Sequence, residues 1–232
     1  MILCLETATN ICSVALCHGD EVLALREDEG QNVHSERITI FIDEVLKEAG
    51  VTYSDLDAVA VSKGPGSYTG LRIGVSTAKG VCYAADKPMI AVDTLQAMAF
   101  GARQMLLRNA LNDSDLLVPM IDARRMEVYC SVFDSQLHKT HDTEAKIIDG
   151  GSFSDLSGSH RLWLFGDGAE KCAAVFAGND NIRIISEFRP SARFMATVAT
   201  EQLGNNDFVD VAYFEPFYLK DFVAGKPHVK GL

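Results

Sequence analysis

At 232 residues the chain has enough material for one large domain or two small ones, each with a core. An apolar fraction of 47% beside 23% charged residues is that of a soluble globular protein. The formal net charge of −11 argues against autonomous nucleic-acid binding through a basic surface, so any contact with RNA calls for a basic partner. The six cysteines form no CxxC pair and sit mostly in apolar runs, which predicts buried free thiols in a reducing compartment. No stretch approaches the roughly 20 apolar residues that span a bilayer, and Glu6 interrupts the N-terminal apolar run before it can act as a secretory signal. The expected location is the cytoplasm.

In chain order, Ile2–Leu5, Cys12–Cys17 and Val22–Arg26 read as a meander of strands. The turns fall near Thr9–Asn10 and at His18-Gly19-Asp20. Ser35–Ala49 carries Ile38, Phe41, Ile42, Val45, Leu46 and Ala49 at helical spacing. It predicts an amphipathic helix with Ser35 or His34 near its N-cap and Gly50 just past its end. Strand Ala58–Ser62, a glycine loop opening a helix to Ala85, strand Met89–Val92 and helix Thr94–Leu107 complete a βββαβαβα run.

The polar stretch Asn109–Asp115 marks a lobe boundary, giving a first lobe over 1–108 and a smaller second over 109–232. The pattern then restarts. Strands are expected at Leu116–Ile121, Met126–Phe133, more weakly Leu137–Thr143, then Leu162–Phe165 and Ile182–Ile185. Gly150–His160 reads as a loop, and helices are expected at Ala169–Phe176 and Ser191–Leu203. From Tyr213 an aromatic segment is expected to pack back on the body ahead of a charged tail. Two successive copies of one layout predict a duplicated α/β fold, the two-lobed arrangement of the actin/Hsp70/sugar-kinase (ASKHA) superfamily, whose lobes flank a nucleotide cleft.

The chain is organised around Lys63–Ala85, KGPGSYTGLRIGVSTAKGVCYAA. A strand, a glycine loop and a helix in that order point several backbone N–H groups at one spot. Within the helix Gly70, Gly74 and Ala78 share a face at i, i+4 spacing, with Gly80 close by. Each interior glycine costs about 1 kcal/mol against alanine, so another backbone must lie close. The neighbour is either this chain's own lobe, the commoner case, or a partner chain.

The segments ILCLETAT, HSERI, KGPGSYTGLRIGVSTAKG, PMIDARRMEVY, FGDGAEK and PFYLKDF resemble, in order and to near residue 220, the TsaB (YeaZ) family of the bacterial machinery that makes threonylcarbamoyladenosine in tRNA. The resemblance implies the actin-like fold and a non-catalytic scaffold and activator. Such a subunit docks TsaD, helps recruit the ATPase TsaE, and pairs with itself when TsaD is missing. It meets tRNA only through the complex, and ATP or ADP and metal belong to the partner subunits. The implied partner surface is the first two helices: His34, Ile38, Phe41, Ile42 and Val45, then Gly70, Leu71, Arg72, Gly74, Val75, Ala78 and Lys79. Arg72 and Lys79, seven apart, are placed to meet carboxylates across an isologous seam. Replacing Gly74 by Leu or Arg is expected to abolish pairing and spare the fold.

The same segment resembles TsaD, whose next helix carries a metal-binding His-x-x-x-His pair. Here Thr94 and Met98 stand at those positions, and no histidine pair at i, i+4 occurs elsewhere, so no metal centre is expected. His138 and His141 lie in a polar stretch and read as solvated surface. Nucleotide-binding candidates are Glu6, at the acidic position after the first strand, with Gly64, Gly66 and Ser67 of the glycine loop and Gly166 and Gly168 of the GDGAEK turn. Ala8-Thr9-Asn10 lacks the phosphate-hairpin glycine, and Asp167 and Glu170 suit a helix dipole better than a phosphate. A tight turn explains the loop glycines as well. The alternative reading is a stand-alone actin-like ATPase or kinase. A glycoprotease-like peptidase is disfavoured, since H-E-x-x-H is absent, GVSTA lies inside a helix, and Ser67, Tyr68 and Thr69 have no evident histidine base.

Overall fold

The computed structural model describes residues 1–30, 32–106 and 111–220. Strands β1 (Ile2–Glu6), β2 (Ile11–His18), β3 (Glu21–Glu29), β4 (Ala58–Ser62) and β5 (Met89–Val92) form one sheet in the order β3-β2-β1-β4-β5. Strands β6 (Leu116–Asp122), β7 (Glu127–Asp134), β8 (Lys139–Ile147), β9 (Leu162–Phe165) and β10 (Ile182–Ile185) form the other. Its order, β8-β7-β6-β9-β10, is the first with every number raised by five. In each sheet the first three strands are antiparallel and the last three parallel, with Leu5 facing Val14 on one side of β1 and Val61 on the other. The fold is the duplicated, two-lobed actin-like one.

Helices α1 (Val33–Ala49) and α2 (Tyr68–Ala85) cover one face of the first sheet. The other helices are α3 (Thr94–Leu106), α4 (Ser154–Ser157), α5 (Asp167–Lys171) and α6 (Ala196–Gly204), with 3-10 turns at Tyr53–Asp55, Ala173–Phe176 and Ala192–Met195. Among the described residues no helix is long and apolar enough to cross a membrane.

The apolar i, i+3, i+4 stripe makes α1 a helix, and its Ile38, Phe41, Ile42 and Val45 are buried against Leu3, Leu5, Val14 and Leu16. Gly50 ends it in the left-handed region, its N–H bonded to Lys47 O at 3.2 Å. The helix starts two residues before Ser35, because Asn32 takes the cap position and Ser35 Oγ donates to Asn32 O. Strand β8 runs on to Ile147, held by its pairing with β7 rather than by alternation of its own. The helices expected at Ala169–Phe176 and Ser191–Leu203 each divide into an α segment and a 3-10 turn.

The two halves exchange helices. α3, from the first half, lays Leu95, Met98 and Ala102 against Leu117, Ile121, Phe133 and Phe165 of the second sheet. α6, from the second half, lays Ala196, Val198 and Ala199 on the free face of the first sheet, against Ile2, Cys4, Ala60 and Ile90. A division at 108/109 therefore separates α6 from the lobe it packs on, and that boundary itself lies outside the described residues. Beyond α6 the chain returns to the first lobe, and at Lys220 it pairs with Glu127 of the second. Val209 N–H donates to Met89 O at 2.9 Å and Phe217 N–H to Lys63 O at 2.7 Å, while the segment after residue 220 lies outside the described residues.

The glycine face of α2 is filled from within. A Cβ built on Gly70 would sit 2.2 Å from Thr7 O, and one on Gly74 2.2 Å from Thr7 Oγ1. What needs the missing side chains is Thr7 in the β1–β2 turn of the same lobe, with its backbone at Gly70 and its side chain at Gly74. Of the residues expected on the partner surface, His34, Ile38, Phe41, Ile42, Val45, Gly70, Leu71, Gly74, Val75 and Ala78 are buried within the chain itself. Gly74→Leu or Gly74→Arg would break the lobe before it tested any docking.

Two predictions concern this turn. Gly74→Ala should destabilise the fold by about 2 kcal/mol through overpacking. Gly80→Ala, where a Cβ meets nothing within 4 Å, should stabilise it by roughly 0.5–1 kcal/mol. Urea unfolding of both variants checks the pair, and equal effects would refute the packing account. The second prediction is set by Glu6, 1% exposed at the end of β1, whose carboxylate accepts the Ala8 N–H at 2.6 Å. Burial pushes its pKa from 4.5 up to about 7. The folded chain thus keeps a proton that the unfolded chain has released. Its contribution is complete below about pH 4.5 and is lost as pH rises through about 7. Unfolding of wild type against Glu6→Gln between pH 4 and 8 should show wild type losing on the order of 3 kcal/mol relative to the variant.

Candidate functional site

Between the lobes lies a cleft of about 970 Å³. Its first-lobe wall is the β1–β2 turn (Ala8, Thr9, Asn10) and the start of α2; its second-lobe wall is the β6–β7 turn and Asp167; Tyr218, Leu219 and Lys220 border it. The α2 start is shaped by Ser67, whose Oγ accepts the Gly70 N–H at 3.3 Å and whose own N–H donates to Ala8 O at 2.7 Å. A Cβ on Gly66 would lie 2.3 Å from Ala8 O, so this glycine too lets the two turns touch.

Of the six nucleotide candidates, Gly66 and Ser67 line the cleft, whereas Glu6, Gly64, Gly166 and Gly168 do not. Gly64 exchanges hydrogen bonds with Thr94: its N–H donates to Thr94 Oγ1 at 3.1 Å, and its carbonyl accepts the Thr94 N–H at 3.2 Å. Gly166, at φ 95°, leaves room for Met120 O and the Met98 methyl, and Gly168 lets α5 close on Met120 and Ile121. These glycines serve packing. Asp167 accepts the Asp122 and Gly168 N–H groups, each at 2.9 Å, and burial raises its pKa.

Thr94 and Met98 are both buried and both engaged with the glycine segments of the two lobes. Among the described residues no three His, Cys, Asp or Glu side chains gather into a metal-binding set. His34 is buried with a ring nitrogen 3.2 Å from Ile11 O, and burial lowers its pKa. Ser76 sits in mid-helix, so GVSTA forms no nucleophile elbow.

Sequence reading missed Arg124 and Arg125. Both line the cleft, both are exposed, and both hold left-handed backbone at φ 74° and 53°. The signal was present in Asp122-Ala123-Arg124-Arg125, a tight turn with two arginines where Asn and Gly are the usual choice.

A second surface is the outward side of α2. Arg72, Ser76, Gly80 and Ala84 form an exposed i, i+4 row, with Tyr83 at 88% exposure beside it. Gly80 and Ala84 border a shallow cavity of about 510 Å³ with Tyr53. Arg72 is engaged with Tyr68, donating to its hydroxyl at 2.9 Å, and Lys79 Nζ donates to Ala212 O at 3.0 Å. Both cations thus have a neutral hydrogen-bond partner inside the chain.

The family model described as TsaD, tRNA N6-adenosine threonylcarbamoyltransferase, matches residues 28–157. The chain is 32% identical to tRNA threonylcarbamoyladenosine biosynthesis protein TsaB of Escherichia coli, over 97% of this chain and 96% of that one. Its similarity to the tRNA N6-adenosine threonylcarbamoyltransferase of Lacticaseibacillus casei, 38% identical, covers only 50% of this chain and 36% of that one. Among solved structures, YeaZ from Pseudomonas aeruginosa superposes with a TM-score of 0.80 over 94% of this chain and 99% of that one, at 23% identity, a likeness of fold. With its similarity to TsaB running almost the full length of both chains, and that to the transferase confined to a part, this chain belongs to the TsaB family of tRNA threonylcarbamoyladenosine biosynthesis proteins.

Proposed function

We propose that this chain is a non-catalytic partner subunit in the synthesis of threonylcarbamoyladenosine in tRNA, acting in the cytoplasm by docking a TsaD subunit and, with it, the ATPase TsaE. The observation that carries the reading is the near full-length similarity to a TsaB protein. Two features of the structure support it. The positions where the resemblance places TsaD's histidines hold Thr94 and Met98, whose side chains are spent on packing and on the Gly64 hydrogen bonds. The outward row Ser76, Gly80 and Ala84 allows a second helix to approach closely, and Tyr83 offers an aromatic anchor. A second copy of the chain can take the same place when TsaD is absent, giving an isologous pair. ATP and metal then belong to the partners, and tRNA is met through the assembly.

Gly80→Arg combined with Tyr83→Asp tests the docking face, because neither side chain is needed inside the lobe. The variant should keep its melting temperature and lose about tenfold or more in affinity for TsaD, equivalent to about 1.4 kcal/mol. Retention of wild-type affinity in a titration would remove α2 from the interface. The competing reading, a self-sufficient ATPase or kinase, would be favoured by ATP turnover in the purified chain without partners.

A further inference from the structure

Two stiff lobes and one loosely held segment meet at the cleft. The lobes are tied by α3 and α6, each packed on the sheet of the other half, so spreading them would disturb two cores. Residues 209–220 are held differently. None of them is buried, and the segment keeps its place by a short series of separate contacts. Its root is fastened to the first lobe. Val209 N–H donates to Met89 O at 2.9 Å, and Val211 and Phe214 pack against the first core. Asp210 caps the turn by accepting the Ala212 and Tyr213 N–H groups at 2.8 and 3.0 Å, and Lys79 of α2 donates to Ala212 O at 3.0 Å.

The tip, residues 216–220, has fewer holds. The Phe217 ring is exposed; its N–H donates to Lys63 O at 2.7 Å, and its carbonyl oxygen sits 2.6 Å from where a Cβ on Gly64 would be. Tyr218 sets its ring against Tyr68 of the first-lobe wall, with centres 4.8 Å apart and planes tilted by 37°. Lys220 then pairs with Glu127 of the second-lobe wall. Tyr218, Leu219 and Lys220 carry the chain from one wall of the cleft to the other. A partly exposed ion pair contributes little and a tilted ring pair only modestly. Segments with so few buried apolar contacts open locally at small cost.

We propose that residues 216–220 form a strap across the mouth of the cleft, which lifts from the root ending at Phe214 while both lobes stay folded. Entry to the cleft is then set by release of one backbone hydrogen bond, one ring contact and one ion pair, and not by separation of the lobes. Ala123 lies beside the ion pair on the second wall, its N–H donating to Glu127 O at 3.1 Å, and is half-buried there. Raised ionic strength loosens the strap by screening Lys220 from Glu127.

Hydrogen exchange of the full-length chain reads the strap at the Phe217 N–H and its root at the Val209 N–H. In the wild type Phe217 should exchange faster than the strands of the first sheet, and faster again at high salt, a readout independent of any variant. Y218A/K220A should speed exchange at Phe217 about tenfold and leave Val209 and the strands unchanged. E127Q removes the ion pair alone; it should give about threefold and abolish the salt dependence. Access is read by thiol labelling of A123C, because all six native cysteines are buried. A bulky maleimide should label A123C slowly, and about tenfold faster once Y218A/K220A is added, while the small reagent iodoacetamide should show less difference. The strap is ruled out if Phe217 exchanges together with the core amides, if neither salt nor the variants speed its exchange, or if maleimide labelling ignores Y218A/K220A.

Discussion

The β1–β2 turn lies against α2 with no room for a side chain between them at Gly66, Gly70 or Gly74, and much of the architecture follows from that contact. Thr7 O and Thr7 Oγ1 occupy the volume that side chains at Gly70 and Gly74 would need, and Ala8 O does the same at Gly66. Three glycines in and before one helix cost backbone entropy and helix propensity. In return α2 sits low on β1 and β4, burying Leu71, Val75, Ala78 and Cys82. The approach fixes the rotation of α2 about its axis. It follows that the Gly70, Gly74, Ala78 row turns inward, the Ser76, Gly80, Ala84 row turns outward, and the first turn of the helix opens on the cleft.

The second organising feature is the exchange of α3 and α6 between the sheets. Each sheet buries both faces of its central strands, so each takes one covering helix from the other half of the chain. A connection by packed helices is stiffer than one by a linker, because opening the cleft must disturb two cores at once. The Ser13 hydroxyl adds a polar tie, accepting the Ala192 N–H at 2.8 Å. The two walls of the cleft are thereby held in register, with Arg124 and Arg125 facing Ser67 and Tyr68 across it.

Local pattern was enough for much of this fold. The stripe of α1, the Gly50 stop, the run Ala58–Ser62 and the glycine-opened helix were legible because each depends on residues within one or two turns. The phase of α2 was not. Rows 70/74/78 and 76/80/84 have the same spacing and are both made of small residues, and the non-local contact with Thr7 decides which is buried. The helix exchange was illegible for the same reason, since an apolar face does not say which sheet it meets. In the cleft, Gly66 and Ser67 are legible through the loop they form, whereas the place of Arg124 and Arg125 on its wall depends on how the two lobes meet.

Thr94 and Met98 show how such a scaffold can hold a shape without a metal pair at those positions. The Thr94 hydroxyl and N–H bind the N–H and the carbonyl of Gly64, which ties the start of α3 to the glycine loop of the first lobe. One turn later the Met98 methyl fills the hollow at Gly166 in the second lobe. A hydroxyl and a thioether suit these tasks. The first satisfies a buried N–H that would otherwise be unpaired, and the second adapts to an irregular apolar gap. A helix face that could have presented two imidazoles to a metal instead joins two loops across the lobe boundary. The consequence is mechanical: the glycine loop and the GDGAEK turn are held at a fixed separation by α3, whatever occupies the cleft between them.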